Sequence, residues 1–168
     1  MTTLFLDEEC YGDSSPLDLV EELIAQREWT YERYGDEELT AVVPSAWNEL
    51  HLRYLWREDS GLLQIAAVFD VRVAANKRPK IHETLALINE RLWLGHFELW
   101  SEEGALMFRH ALLVPDHLMG FEGQCEAVTY AAIKECERFY PVFQFVLWAD
   151  KDPEEAVESA MLETMGEA

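Results

Sequence analysis

The spacing of apolar side chains changes once within residues 84–114. Up to Leu92 they recur every three or four residues, which is typical of a helix lying on an apolar surface. After Gly95 they alternate with polar residues, which is typical of a strand with one buried face. A one-sided helix followed directly by one-sided strands predicts helices packed on a sheet.

The remaining segments extend this pattern into an α+β domain. Ser15-Pro16 predicts the start of a helix, because Ser can cap it and Pro suits its first position. Alternation and turn residues predict strands at residues 29–34, 39–43, 48–56 and 62–71. A helix over residues 77–94, ended by Gly95, precedes the two-stranded hairpin.

Two further helices close the predicted fold. One spans residues 118–140, after which Pro141 is expected to bend or interrupt it, and the other begins at Asp152-Pro153. The predicted order is α-β-β-β-β-α-β-β-α-α, with an antiparallel sheet and helices on one face. The chain divides into a flexible acidic N-terminus (1–14), an α+β domain (15–150) and a C-terminal helical tail (151–168).

The register of the hairpin follows from its side chains. A two-residue turn at Glu103-Gly104 predicts three opposed pairs: Phe97 with His110, Leu99 with Phe108, and Glu98 with Arg109. A slip of one residue would mix the apolar and polar faces, so it is rejected.

The hairpin face that points away from the core combines aromatic, apolar and charged side chains. Its members are His96, Glu98, Trp100, Met107, Arg109 and Ala111. This face is too apolar for simple exposure, so either the protein's own helices or another chain should cover it. These residues are therefore the candidate protein-binding or dimer surface.

The tryptophans outside this face divide into two groups. Trp29, Trp56 and Trp93 fit core positions in the predicted elements. Trp47 and Trp148 are interpreted as anchors at an edge or a helix end.

The charge balance restricts the partners. The chain has 33 Asp and Glu against 13 Lys and Arg, a net charge of −20. Such a chain repels phosphate backbones and anionic lipid headgroups, so neither nucleic acid nor a membrane is expected as a partner. A basic or amphipathic polypeptide would be attracted, although excess acid also serves solubility alone.

The cysteines and the N-terminus indicate a cytoplasmic protein. Cys10, Cys125 and Cys136 are odd in number and form no CxxC, so a disulfide framework is not expected. Buried thiols in a reducing compartment fit best. The first residues lack the basic region of a secretion signal, and no apolar run is long enough to span a membrane.

The sequence carries no recognisable catalytic or ligand-binding motif. Its five histidines form neither HxH nor HExxH, and there is no GxSxG, GxGxxG or P-loop pattern. His110 is interpreted as a core histidine, and His96 should point to the opposite face, so the two cannot share a metal ion. We expect no enzyme activity, no cofactor and no bound metal.

Three segments resemble the YbjN-like family of small bacterial proteins. They are residues 69–73 (FDVRV), residues 85–113 (LALINERLWLGHFELWSEEGALMFRHALL) and residues 136–148 (CERFYPVFQFVLW). The resemblance extends over most of the chain from Pro16 onward. It implies a fold similar to type III secretion chaperones, which are commonly homodimers, and a role described as sensory transduction regulation. It carries over no catalytic residues.

The leading hypothesis is therefore a non-enzymatic protein-binding module, a chaperone-like or regulatory adaptor. Two alternatives stay open. One is a hydrolase or transferase in which His96 or His82 meets a buried carboxylate in a cleft, and the other is a regulator that senses a small molecule in a closed apolar pocket.

Overall fold

The computed structural model describes residues 15–165, with side chains described as far as residue 162. The predicted N-terminal segment 1–14 lies outside the described residues. Within residues 15–165 the chain forms four α-helices and six strands, in the predicted order. Their bounds are α1 Pro16–Gln26, β1 Thr30–Tyr34, β2 Glu38–Pro44, β3 Glu49–Arg57, β4 Leu62–Arg72, α2 Arg78–Asn89, β5 His96–Trp100, β6 Ala105–Leu113, α3 Phe121–Leu147 and α4 Pro153–Met165.

The strands form one antiparallel sheet, and the helices lie on one side of it. The strand order is β1-β2-β3-β4-β6-β5. Leu39, Tyr54 and Ile65 lie side by side across β2, β3 and β4, and all three are fully buried. They share one core with apolar side chains of every helix: Leu17, Ile88, Phe139 and Val157. The predicted α+β class is therefore confirmed, while the likeness to type III secretion chaperones stays a prediction.

Helix α1 begins as its cap residues predict. Ser15 Oγ accepts a hydrogen bond from the Leu17 amide at 3.2 Å, and the Asp18 carboxylate accepts one from the Ser15 amide at 2.9 Å. These bonds satisfy amides that the helix itself leaves free. Arg33 of β1 then donates to Asp18 at 2.7 Å and to Glu21 at 2.6 Å, which ties α1 to the sheet edge.

Helix α2 ends earlier than predicted. Its last residue is Asn89, and the chain turns tightly through bonds from the Arg91 amide to Ile88 and from the Leu92 amide to Asn89. The helical stripe therefore does not extend to Trp93. The core assignment of Trp93 is wrong, because its side chain is fully exposed at 103%.

Gly95 has a different role from the predicted one. Its φ is +67°, a left-handed value that suits glycine, but it directly precedes β5 and does not end α2. A Cβ added there would overlap the ring of Phe108. Gly95 is thus required by close approach of the backbone to a core side chain.

Helix α3 runs through Pro141 without interruption, so of the two predicted outcomes the interruption is wrong, while a bend stays a prediction. Proline has no amide hydrogen, which leaves the carbonyl of Glu137, four residues earlier, without its helical donor. The indole Nε1 of Trp47, in the β2–β3 turn, donates to that carbonyl at 2.8 Å. Trp47 also stacks on Tyr140 with ring centroids 6.3 Å apart. A donor from another part of the chain therefore replaces the missing helical bond.

Helix α4 packs against α2 and α3 through Ala156, Val157 and Ala160, all buried. The turn between α3 and α4 is held by Asp150, which has a φ of +53°. Its carboxylate pairs with Lys77 at 2.8 Å and with Lys80 at 2.9 Å. Hydrogen bonds and charge from these two lysines lower the pKa of Asp150 to about 2.

Candidate protein-binding surface

The sheet has a second face, which we call the helix-free face: the strand side chains that point away from the helices. On β5 and β6 it contains the predicted members of the candidate surface: His96, Glu98, Trp100, Met107, Arg109 and Ala111. Across the two strands His96 opposes Arg109, Glu98 opposes Met107, and Trp100 opposes Ala105. The structure thus brings the predicted residues together on one surface.

The register of the hairpin differs from the predicted one. The loop consists of residues 101–104, in which the Gly104 amide donates to the Trp100 carbonyl at 2.7 Å and Gly104 has a φ of +64°. Consequently Phe97 opposes Phe108, and Leu99 opposes Leu106. Pairs shifted by two residues keep every side chain on its predicted face. The predicted opposed pairs are therefore wrong, although the faces are right.

A single carboxylate organises the candidate surface. Glu98 accepts a hydrogen bond from the Trp100 indole at 2.7 Å and one from the Arg109 guanidinium at 2.8 Å. The His96 imidazole lies 3.3 Å from the same carboxylate. The Glu98 side chain is 20% exposed, while Trp100 keeps 39% of its surface exposed. The indole is therefore held in one orientation with much of its ring facing outward.

A small apolar patch lies beside this network. Met107, Ala105 and Ala66 are buried, and Val68 of β4 packs against them. Met107 is only 3% exposed, so a partner would meet mainly the other members of the surface. Ala111 at the far end is exposed.

The histidines do not form a metal site. His96 lies on the helix-free face, whereas His110 points to the helix side, where it opposes Ile65 of β4. His110 is half-buried, and burial together with the charge of His96 lowers its imidazole pKa. Among the described residues, no group of three or more His, Cys, Asp or Glu side chains could hold a metal ion.

Two clefts lie elsewhere on the described part of the chain. The larger, about 1200 Å³, lies between the start of α1 and the β1–β2 and β3–β4 turns, and it is rich in acids such as Asp36, Glu37 and Asp59. The smaller, about 220 Å³, lies between α1, the end of β2 and α3, with Trp29 and Ile133 in its wall. The acidic residues in the turns at Gly35 and Gly61 are the sequence feature that corresponds to the larger cleft.

The cysteines and His82 are further side chains that could take part in chemistry. Cys125 and Cys136 are free and buried, as predicted, while Cys10 lies outside the described residues. Burial raises the pKa of Cys125 to about 12 and that of Cys136 well above its ordinary value. His82, a residue of the enzyme alternative, is exposed on α2.

The chain matches the model of a known protein family. The family model YbjN, described as a putative bacterial sensory transduction regulator, matches residues 16–145. The match extends from the first residue of α1 into the last turn of α3 and includes the whole candidate surface. Comparison with curated proteins gave no match. No helix in the described range is long and apolar enough to cross a membrane.

Proposed function

The chain belongs to the YbjN family of putative bacterial sensory transduction regulators, and from that premise we propose that it is a non-catalytic, protein-binding adaptor. Its partner would contact the helix-free face around Trp100 and Arg109. One observation supports this site above the others: the carboxylate of Glu98 holds both side chains, at 2.7 and 2.8 Å.

Rigid, partly exposed tryptophan and arginine side chains are common energetic centres of protein interfaces. A side chain already fixed in its binding orientation loses little conformational entropy when a partner arrives. Trp100 and Arg109 meet both conditions, because they sit on paired strands and share one acceptor. The carboxylate also neutralises the guanidinium, which reduces the cost of covering it.

The partner that this proposal favours is a basic or amphipathic polypeptide. The net charge of −20 attracts such a chain and raises its association rate at low salt. A cytoplasmic location and a homodimeric state are also part of the proposal. The free, buried thiols are compatible with the first, and the family resemblance is the support for the second.

The two alternatives have weaker support. The 220 Å³ cleft is smaller than the roughly 300–1,000 Å³ of common small-molecule sites, and the 1200 Å³ cleft is polar where a closed apolar pocket was expected. The His96–Glu98 pair that an enzyme would use lies on an open sheet face with the His96 side chain 46% exposed. Neither geometry favours catalysis or enclosure of a ligand.

The test compares variants in one co-purification experiment. Full-length chain is crosslinked in its native cell, and partners are quantified for wild type, Trp100→Ala, Arg109→Glu and Trp148→Ala. Trp148 is the matched control, because it is 61% exposed but lies at the end of α3. Loss of a tryptophan from an interface centre weakens binding by about 30-fold or more.

We expect a specific partner to disappear with Trp100→Ala and with Arg109→Glu and to stay with Trp148→Ala. The proposal is wrong if all four chains recover the same proteins in equal amounts. Sedimentation at micromolar concentration tests the homodimer separately. If the chain sediments as a monomer, the homodimeric part of the proposal is wrong, while the binding part is unaffected.

A further inference from the structure

Strand β6 is longer than the strand beside it. It pairs with β4 as far as Leu113, which opposes Leu62, but its pairing with β5 ends where Arg109 opposes His96. Within residues 15–165, the last part of β6, residues 110–113, therefore pairs with a strand on one side only.

The direction of each backbone group in this part follows from the pairing. Asn89 bonds the amide and carbonyl of Phe97 at 2.8 and 2.9 Å from outside the sheet, so Phe97 and its partner Phe108 do not bond each other. Backbone groups alternate sides along an antiparallel strand. Phe108 and His110 thus face β4, while Ala111 and Leu113 face the open side.

The amides and carbonyls of Ala111 and Leu113 have no hydrogen-bond partner in the described part of the chain. Within residues 15–165 no strand pairs with them on this side, because β5 begins only at His96, and Gly95 before it lies against the Phe108 ring on the helix side. We call this stretch, residues 111–113, the open β6 edge. It contrasts with the outer edge of β5, where the Asn89 side chain occupies the bonding groups of Phe97.

We propose that the open β6 edge binds an extended, basic segment of a partner protein as an added strand. This inference rests on the proposed function and specifies how the partner is held. An added strand would take up the free groups of Ala111 and Leu113 and lie in line with β5. It would run beside Arg109 and His96, so it would meet the candidate surface directly.

The side chains around the edge indicate the chemistry of that segment. Leu113 is 77% exposed, which offers an apolar contact to a residue of an added strand. The Val114 amide bonds Gly61 at 2.9 Å, which places the end of the edge beside the turn that carries Glu58 and Asp59. Asp116 follows two residues after Val114. If a second copy of this chain bound here, its acidic side chains would repel these acids. Lysines or arginines of a partner would instead pair with them.

The first experiment uses hydrogen–deuterium exchange of the full chain. The probe is a short synthetic peptide of alternating lysine and valine, and its control is the same peptide with two central prolines, which cannot form a strand. The amides of Ala111 and Leu113 should exchange quickly in the free chain and slowly with the probe. The Met107 amide, on the side of β6 that β5 covers, is the internal reference and should not change.

The second experiment uses a variant that blocks the edge and spares the sheet. Ala111→Pro removes an amide that faces outward, so no bond to β4 is lost. Ala111→Thr is the matched control, because it keeps the amide. Loss of one hydrogen bond predicts up to about tenfold weaker probe binding for Ala111→Pro than for Ala111→Thr. Circular dichroism checks folding, and exchange on wild type decides the question if Ala111→Pro does not fold.

Three outcomes would overturn the inference. They are equal binding of the strand-forming and proline peptides, probe binding without protection of Ala111 and Leu113, and slow exchange of these amides in the free chain because a second copy occupies the edge. The variants at Trp100 and Arg109 ask whether the chain binds protein at all, and this test asks where the bound segment lies. The two proposals can therefore fail separately.

Discussion

The two faces of the β5–β6 hairpin are built from alternating residues of the same strands, yet they are held together differently. On the helix side Phe97 is 1% exposed. The centroid of its ring lies 5.4 to 6.1 Å from the ring centroids of four other phenylalanines: Phe69, Phe108, Phe139 and Phe143. On the other side its neighbour Glu98 holds Trp100 and Arg109 by hydrogen bonds at a partly exposed surface. Contacts between buried aromatic rings hold one face together, and hydrogen bonds to a charged carboxylate hold the other.

The difference separates stability from recognition. Burying aromatic rings removes a large apolar area from water, which is the dominant favourable term in folding. Partly exposed ion pairs contribute about 0–1 kcal/mol each. Substitutions on the helix-free face should therefore change what the protein binds much more than whether it folds.

The largest expected effect is on the packed face. Phe97→Ala should lower the free energy of unfolding by about 3–5 kcal/mol, because it leaves a cavity among four rings. Glu98→Ala, one residue away, should cost about 1 kcal/mol or less. Urea unfolding followed by circular dichroism measures both. Comparable losses for the two variants would contradict the division between the faces.

A smaller effect is expected at a polar contact inside the packed side. The Tyr54 hydroxyl lies 2.9 Å from Thr129 Oγ1, and both side chains are buried. Tyr54→Phe should destabilise by about 1 kcal/mol, because the Thr129 hydroxyl loses its partner. Adding Thr129→Val to that variant removes the unpaired group and should recover part of the loss. A double variant that is no more stable than Tyr54→Phe alone would contradict this account.

The smallest effect is expected at the exposed ion pairs of the helix layer. Asp150→Asn keeps a residue that tolerates positive φ but removes the charge that Lys77 and Lys80 contact. The pKa of Asp150 is about 2, below its ordinary 3.8, so the charged form favours the folded state. The contribution is complete above the ordinary pKa and is lost as the pH falls through about 2.

The melting temperature of Asp150→Asn should therefore lie slightly below that of wild type at neutral pH. The difference should shrink as the pH falls from 3.8 toward 2. Thermal scans across that range measure it, with Glu158→Gln, an acid on the exposed side of α4, as the control. A difference that is independent of pH would assign the effect to something other than the Lys77 and Lys80 contacts.

The sequence predicted the elements and their faces because both depend on local periodicity. The alternation around Phe97 and Leu99 distinguishes inside from outside, and the structure agrees. It does not determine the register, because a slip of two residues leaves the same faces in place. The register is set by the turn at Gly104, whose amide bonds the Trp100 carbonyl.

The errors and the missed parts of the site have long-range causes. Trp93 continues the helical stripe in sequence, but α2 ends at Asn89, whose side chain bonds Phe97 of the next strand. Gly95 looks like a helix terminator, yet the Phe108 ring requires it. The contact of Glu98 with Trp100 depends on rotamers and sheet twist, so spacing alone could not reveal it.

The contact between Trp47 and the Glu137 carbonyl has a consequence for the order of folding. The two residues are 90 positions apart in the chain, so the contact forms only after the turn between β2 and β3 has reached the third helix. Until then the turn of helix before Pro141 lacks a donor and should fray. The second half of that helix would then gain its full order late, when the strands dock.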